Sequence, residues 1–102
     1  MSVEGDQPAA ALDLVIAPMG DAATRHAAVM ARDFRAAGLS VELIEGKLKR
    51  AMELANKLGA RHTLIIGENE MAEGLYALKN MSSGEQDKLT RDDIATRLVN
   101  HN

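Results

Sequence analysis

Between Lys47 and Lys79 the chain passes through three hydrophobic patterns, and that succession constrains the fold more than any other feature. Leu48, Ala51, Met52, Ala55 and Leu58 recur at three- and four-residue intervals, which predicts a helix over residues 47–58 with those side chains inward. Thr63 to Ile66 is instead a short continuous apolar run bounded by His62 and Gly67, the pattern of a central strand covered on both faces. Leu75 to Met81 alternates, setting Leu75, Ala77 and Lys79 on one face and Tyr76, Leu78 and Asn80 on the other. The polar stretch between these two strands, with Glu68, Glu70 and Glu73, reads as an acid-tipped hairpin.

The flanks extend the same grammar. Leu12 to Ala17 is a strand stopped at Pro18-Met19-Gly20, with Asp21 as the expected N-cap of a helix. From Ala22 to Ala37 the residues Ala23, Ala27, Met30, Ala31 and Phe34 form one stripe, and Gly38 ends it. Ser40 to Ile44 is a second strand joined to the basic helix by Glu45-Gly46. Ser82 to Glu85 supplies turn chemistry into a last strand near Gln86 to Leu89. Thr90, with Asp93 three residues on, opens a terminal helix whose Ile94 and Leu98 face inward. The expectation is an α/β domain, a mixed five-stranded sheet flanked by three helices over residues 12–102, after a short flexible lead-in over residues 1–11. Parallel strands joined by helices make right-handed crossovers, so the loops at their C-terminal ends, Met19 to Asp21, Glu45-Gly46 and Gly67 to Glu70, form the expected binding edge.

Charge and composition exclude several kinds of function. The start lacks the basic and apolar regions of a secretory signal, no apolar stretch is long enough to span a bilayer, and there is no cysteine, so the cytoplasm is the expected location. Net charge is −3, which argues against coating nucleic acid through bulk electrostatics. Its distribution is uneven: from Lys47 to Arg61 only Glu53 opposes Lys47, Lys49, Arg50, Lys57 and Arg61. That stripe is either a solvated helix face with a Glu53–Lys57 pair or a surface for an anion. Pro18-Met19-Gly20 occupies the position of a phosphate loop without its motif, and Asp21 would repel an anion. His26, His62 and His101 have no nucleophile or acid at readable spacing and read as surface or edge residues. Glu68, Glu70 and Glu73 lack the spacing of a calcium loop. No catalytic residue, metal or cofactor is expected.

With only Phe34 and Tyr76 as aromatics, composition also argues against a stacking platform for single-stranded RNA. A narrower mode fits, in which lysines or arginines hold phosphates while carboxylates and amides on strand ends bond splayed base edges. Glu70 and Lys79 suit it, since a carboxylate accepts from amino and imino groups and an ammonium donates to carbonyl oxygens or phosphate. The competing readings are a solvated turn acid and an edge-strand lysine.

The ordered set of pieces carries a resemblance. A strand ending in Pro18-Met19-Gly20, AAGLSVEL at Ala36 to Leu43, the Leu48 to Arg61 segment with KLGAR, IIGENE at Ile65 to Glu70, the strand ending at Lys79, and GEQ at Gly84 to Gln86 follow one another as in a known family. From about Leu12 the chain resembles the C-terminal anticodon-binding domain of the class IIa aminoacyl-tRNA synthetases, the histidyl-tRNA synthetase branch most of all. The resemblance implies a mixed sheet with three helices and a module that recognises the anticodon loop of histidine tRNA. It implies base contacts from Glu70 and Lys79, backbone contacts from Lys47, Lys49 and Arg50, and a non-catalytic role beside the catalytic domain of a homodimeric parent synthetase, with neither DNA nor membrane as partner. Lys79 stands where some relatives carry Arg, and Glu53 where some carry a basic residue; no role is carried over to Glu53. The chain is then either a domain of a longer synthetase or a free-standing paralogue, and the rival function is a synthetase-like regulatory or interaction domain that has lost tRNA reading. A small enzyme or nucleotide binder rests on strand-turn-helix geometry alone.

Overall fold

A computed structural model describes residues 12–99. Strand β1 (Leu12–Pro18) leads into helix α1 (Asp21–Ala36), then β2 (Val41–Leu43), α2 (Leu48–Lys57), β3 (Ala60–Ile66), α3 (Glu68–Glu73), β4 (Tyr76–Asn80), β5 (Gln86–Leu89) and α4 (Arg91–Val99). The five strands form one sheet in the order β2-β1-β3-β4-β5. β1 pairs in parallel with β2 and β3, while β4 is antiparallel to both β3 and β5. The mixed sheet expected from the sequence is therefore present, with the strand that carries Thr63 to Ile66 at its centre.

The two faces of the sheet are covered unequally. On one face Leu14, Ile16, Leu64, Ile66, Tyr76 and Leu78 meet Met30 and Phe34 of α1 and Ile94 and Leu98 of α4, with Met71 of α3 packed against them. Fully burying one such aliphatic side chain stabilises the fold by about 1.5–3 kcal/mol, so this cluster dominates the core. The stripe read for α1, Ala23, Ala27, Met30, Ala31 and Phe34, is the set that is buried. On the other face α2 alone packs over β1 and β3, through a smaller cluster of Val15, Ala55 and Ala60 with Leu12, Ile44 and Met81 beside it. Alanines at Ala51 and Ala55 bring α2 close to the strands.

Several local expectations are corrected. The segment after β3 is a six-residue helix, α3, rather than a hairpin, so the three longer helices are joined by a fourth short one. Glu70 satisfies the Gly67 N–H at the start of α3, and Gly74, at φ 72°, turns the chain into β4 in a left-handed conformation that L side chains rarely adopt. Asp21 is the first residue of α1 rather than its cap. Gly20 takes the cap position at φ 108°, and the Asp21 carboxylate instead complements the helix dipole. His62 is not at the surface: β3 begins three residues before Thr63, and its pairing with Leu14 and Asn80 leaves His62 only 5% exposed. His26 is half-buried and shares a 2.8 Å hydrogen bond with the Tyr76 hydroxyl. Leu48 and Leu58, expected inward, are 37% and 44% exposed because the end turns of α2 project past its contact with the sheet. The Thr90 cap is made as read, its hydroxyl accepting the Asp93 N–H at 3.2 Å. The lead-in and His101 lie outside the described residues.

Candidate nucleic-acid interface

The parallel strands end at one edge of the sheet, and α2 starts there, because a helix linking β2 to a parallel β3 must run back across the sheet. Its start carries Lys47, Lys49 and Arg50 to that edge, all exposed. No acidic residue sits in the first turn. A helix N-terminus bears roughly half a positive charge, and cations there oppose it at a cost of about 0.3–1 kcal/mol each. Lys47 occupies the N-cap with φ −72° and ψ 143°, the backbone of a capping Ser or Asp, yet gives no side-chain cap bond. The start of α2 thus presents three exposed cations at the expense of helix stability.

Further along, α2 forms one wall of a groove over the open half of the sheet. Met52, Glu53 and Asn56, one helical turn apart, face Lys79, which rises from β4 beside Thr63 of β3 and Gln86 of β5. The opposite wall is the β4–β5 turn, held rigidly by its own polar groups. Asn80 Oδ1 accepts the Ser82 and Ser83 N–H groups at 2.9 and 3.1 Å, and Ser83 Oγ accepts the Glu85 N–H at 3.2 Å. Met81 lines the groove, its sulfur accepting a hydrogen bond from the hydroxyl of fully buried Thr63 at 3.1 Å. The groove is broadly open to solvent and has a volume of about 420 Å³. A smaller depression of about 240 Å³, lined by Arg61, His62 and Asn80, shares Ser82 with it. Among the described residues neither the Glu53 nor the Lys79 side chain is engaged in a hydrogen bond or an ion pair, so the Glu53–Lys57 pair of the solvated-face alternative is not formed.

The residues singled out by sequence fall into two places. Glu70 lies beyond the end of β3, near the edge where α2 begins, with Oε1 bonded to the Gly67 N–H at 2.9 Å. Lys79 lies opposite Thr63, four residues before Gly67 along β3, a rise of about 13 Å. The two are therefore not side by side. Glu70 sits on α3, which contacts α1 and β4, whereas Lys79 sits in the groove with Glu53 and Asn56. Sequence reasoning missed Asn56, Met52, Met81 and the serines of the turn. Their signal was present as a helical interval on one side and a turn cluster on the other, but no local pattern says that the two meet. Among the described residues no group of three or more His, Asp or Glu is placed to hold a metal ion, and no helix is long and apolar enough to cross a membrane.

Known proteins share both the sequence pattern and the fold. A family model described as an anticodon binding domain matches residues 13–101. The chain is 76% identical over 98 residues to a histidine--tRNA ligase of Solibacter usitatus, covering 96% of this chain and 24% of that protein. It is 36% identical over 90 residues to the histidine--tRNA ligase of Pyrococcus furiosus, covering 86% of this chain and 21% of that one. The chain spans about a quarter or less of the curated relatives it matches. Among solved structures, apo histidyl-tRNA synthetase of S. aureus superposes with a TM-score of 0.82 at 31% identity, over 89% of this chain and 24% of that one. The RNA binding domain of threonyl-tRNA synthetase from Cryptosporidium parvum shares the fold, with a TM-score of 0.78 at 18% identity, over 85% of this chain and 22% of that one.

Proposed function

We propose, because this chain belongs to the anticodon binding domain family, that it is the module through which a histidyl-tRNA synthetase holds the anticodon stem-loop of histidine tRNA. The observation that carries this reading is the groove between α2 and the β4–β5 turn, on the same helix whose first turn holds cations and no acidic residue. Lys47, Lys49 and Arg50 attract the phosphate backbone without sequence information. Lys79 donates to a base edge in the groove. Glu70 reads a second base at the strand edge, where the Gly67 N–H fixes one carboxylate oxygen and leaves the other to accept from the RNA. A catalytic domain supplied by a longer, homodimeric cytoplasmic enzyme performs the aminoacylation, and neither DNA nor a membrane takes part.

Fluorescence anisotropy with a GUG stem-loop and a scrambled loop tests the reading. The GUG loop binds more tightly, and replacing Lys47, Lys49 and Arg50 with alanine flattens the dependence of affinity on salt, by roughly 0.7 in the log–log slope for each phosphate no longer neutralised. Equal affinity for both loops at every salt concentration would sink base-specific recognition.

A further inference from the structure

Resting on the reading above, the geometry points to the groove as a guanine pocket in which Glu53, together with Lys79, reads the base edge and Met52 and Met81 grip the base faces. Glu53 and Lys79 line the same cavity from opposite elements, helix and strand, and neither is committed to another group among the described residues. A carboxylate offers acceptors only, and an ammonium donors only. Guanine alone among the four bases presents, on one edge, two adjacent N–H donors followed by a carbonyl acceptor. Its N1–H and amino group match the Glu53 carboxylate while O6 matches Lys79 Nζ. Cytosine and adenine each bring one amino donor beside a bare ring nitrogen, which would set a lone pair against the carboxylate. Uracil brings one donor between two carbonyls.

The faces of the base need apolar partners, and the usual aromatic ones are missing from this surface. Phe34 and Tyr76 are 2% and 5% exposed in the main core. Met52 and Met81 are half-buried in the groove, and a thioether makes favourable contacts with an aromatic ring. The Thr63 hydroxyl bonded to the Met81 sulfur at 3.1 Å fixes that side chain, and the self-bonded turn at Asn80 fixes its backbone. The pocket is thus preorganised before any ligand enters it.

The test uses the full chain and three loops, the GUG stem-loop and versions with one or the other guanine replaced by inosine, which lacks the exocyclic amino group. Heteronuclear NMR titration follows the Ser82 and Ser83 amides and reads millimolar affinities. The expected result is that one of the two inosine replacements weakens binding on the order of tenfold, the size of one charge-assisted hydrogen bond. In Glu53→Ala, which keeps a good helix former at an exposed position, that penalty disappears, whereas Glu70→Ala retains it. A penalty that persists in Glu53→Ala, or that vanishes only in Glu70→Ala, overturns the assignment of Glu53 and leaves the anticodon reading standing. Absence of any shift with all three loops at low salt overturns the anticodon reading, and the guanine pocket with it.

Discussion

The Glu70 carboxylate reaches back three residues to accept the Gly67 backbone N–H at 2.9 Å, and this single bond defines the start of α3. It is half of a capping box, since glycine has no side chain to return the second bond. A β-carbon built on Gly67 would lie 2.6 Å from Glu70 Oε1. The Gly67 backbone is extended, at φ −118°, so alanine meets no backbone strain there. Gly67→Ala therefore acts by pushing the carboxylate away. The expected loss is about 1 kcal/mol, a fall of about 4–8 °C in melting temperature for a domain of this size. Because both substitutions break the same bond, Gly67→Ala combined with Glu70→Ala costs little more than either alone in a double-mutant cycle. Fully additive losses would show that the bond does not carry the effect.

Lys47 sits where a helix wants a capping side chain and has the backbone to make one. Lys47→Ser stabilises the domain by about 1 kcal/mol in urea unfolding, through a new bond to the free N–H groups of the first turn and removal of a cation from the positive end of the dipole. The same variant binds an anticodon stem-loop more weakly and with a shallower salt dependence. Opposite signs of the two effects are the diagnostic. A variant that gains no stability, or gains stability without losing RNA affinity, contradicts the view that this helix end is composed for an anion.

The terminal helix is held by two kinds of contact whose magnitudes differ. Ile94 is completely buried against the main core, whereas Arg91 pairs with Asp33 of α1 at a site where both side chains are more than a third exposed. Ile94→Ala costs about 2–5 kcal/mol, from forfeited transfer energy and the cavity left behind. Asp33→Asn costs less than about 1 kcal/mol, because solvent screens the pair. Urea midpoints compared at constant m-value check the ratio. A larger loss from Asp33→Asn would mean that the ion pair, rather than the apolar seam, docks α4.

Much of this arrangement was readable along the chain because its causes are local. The stripe Ala23, Ala27, Met30, Ala31 and Phe34 is a helical period, and the buried set matches it residue for residue. The apolar run at Thr63 to Ile66 marks the centre of the sheet for the same reason. α3 escaped because its six residues hold no apolar period, only half-buried Met71, and its helicity rests on the Glu70 bond and the left-handed Gly74. His62 escaped because only pairing with Leu14 and Asn80 extends β3 far enough back to bury it. Glu70 and Lys79, nine residues apart, both suit base contacts in sequence, but the pairing of Lys79 with Thr63, four residues before Gly67, sets them apart along the sheet. Lys79 and Glu53 share a groove only because strand register fixes one and helix docking fixes the other, and neither is a local property.

The unequal covering of the sheet bears on how such a domain can change over generations. The large cluster of aliphatic side chains lies on the face away from the groove, while α2 meets the sheet mainly through alanines and its outward residues at Glu53 and Asn56 are exposed. Exposed substitutions away from special contacts usually alter stability by no more than about 0.5 kcal/mol. Glu53 and Asn56, the helix wall of the proposed pocket, can therefore be exchanged with little risk to folding, so that a lineage could acquire a different loop preference by a few steps on one wall while its scaffold is inherited intact.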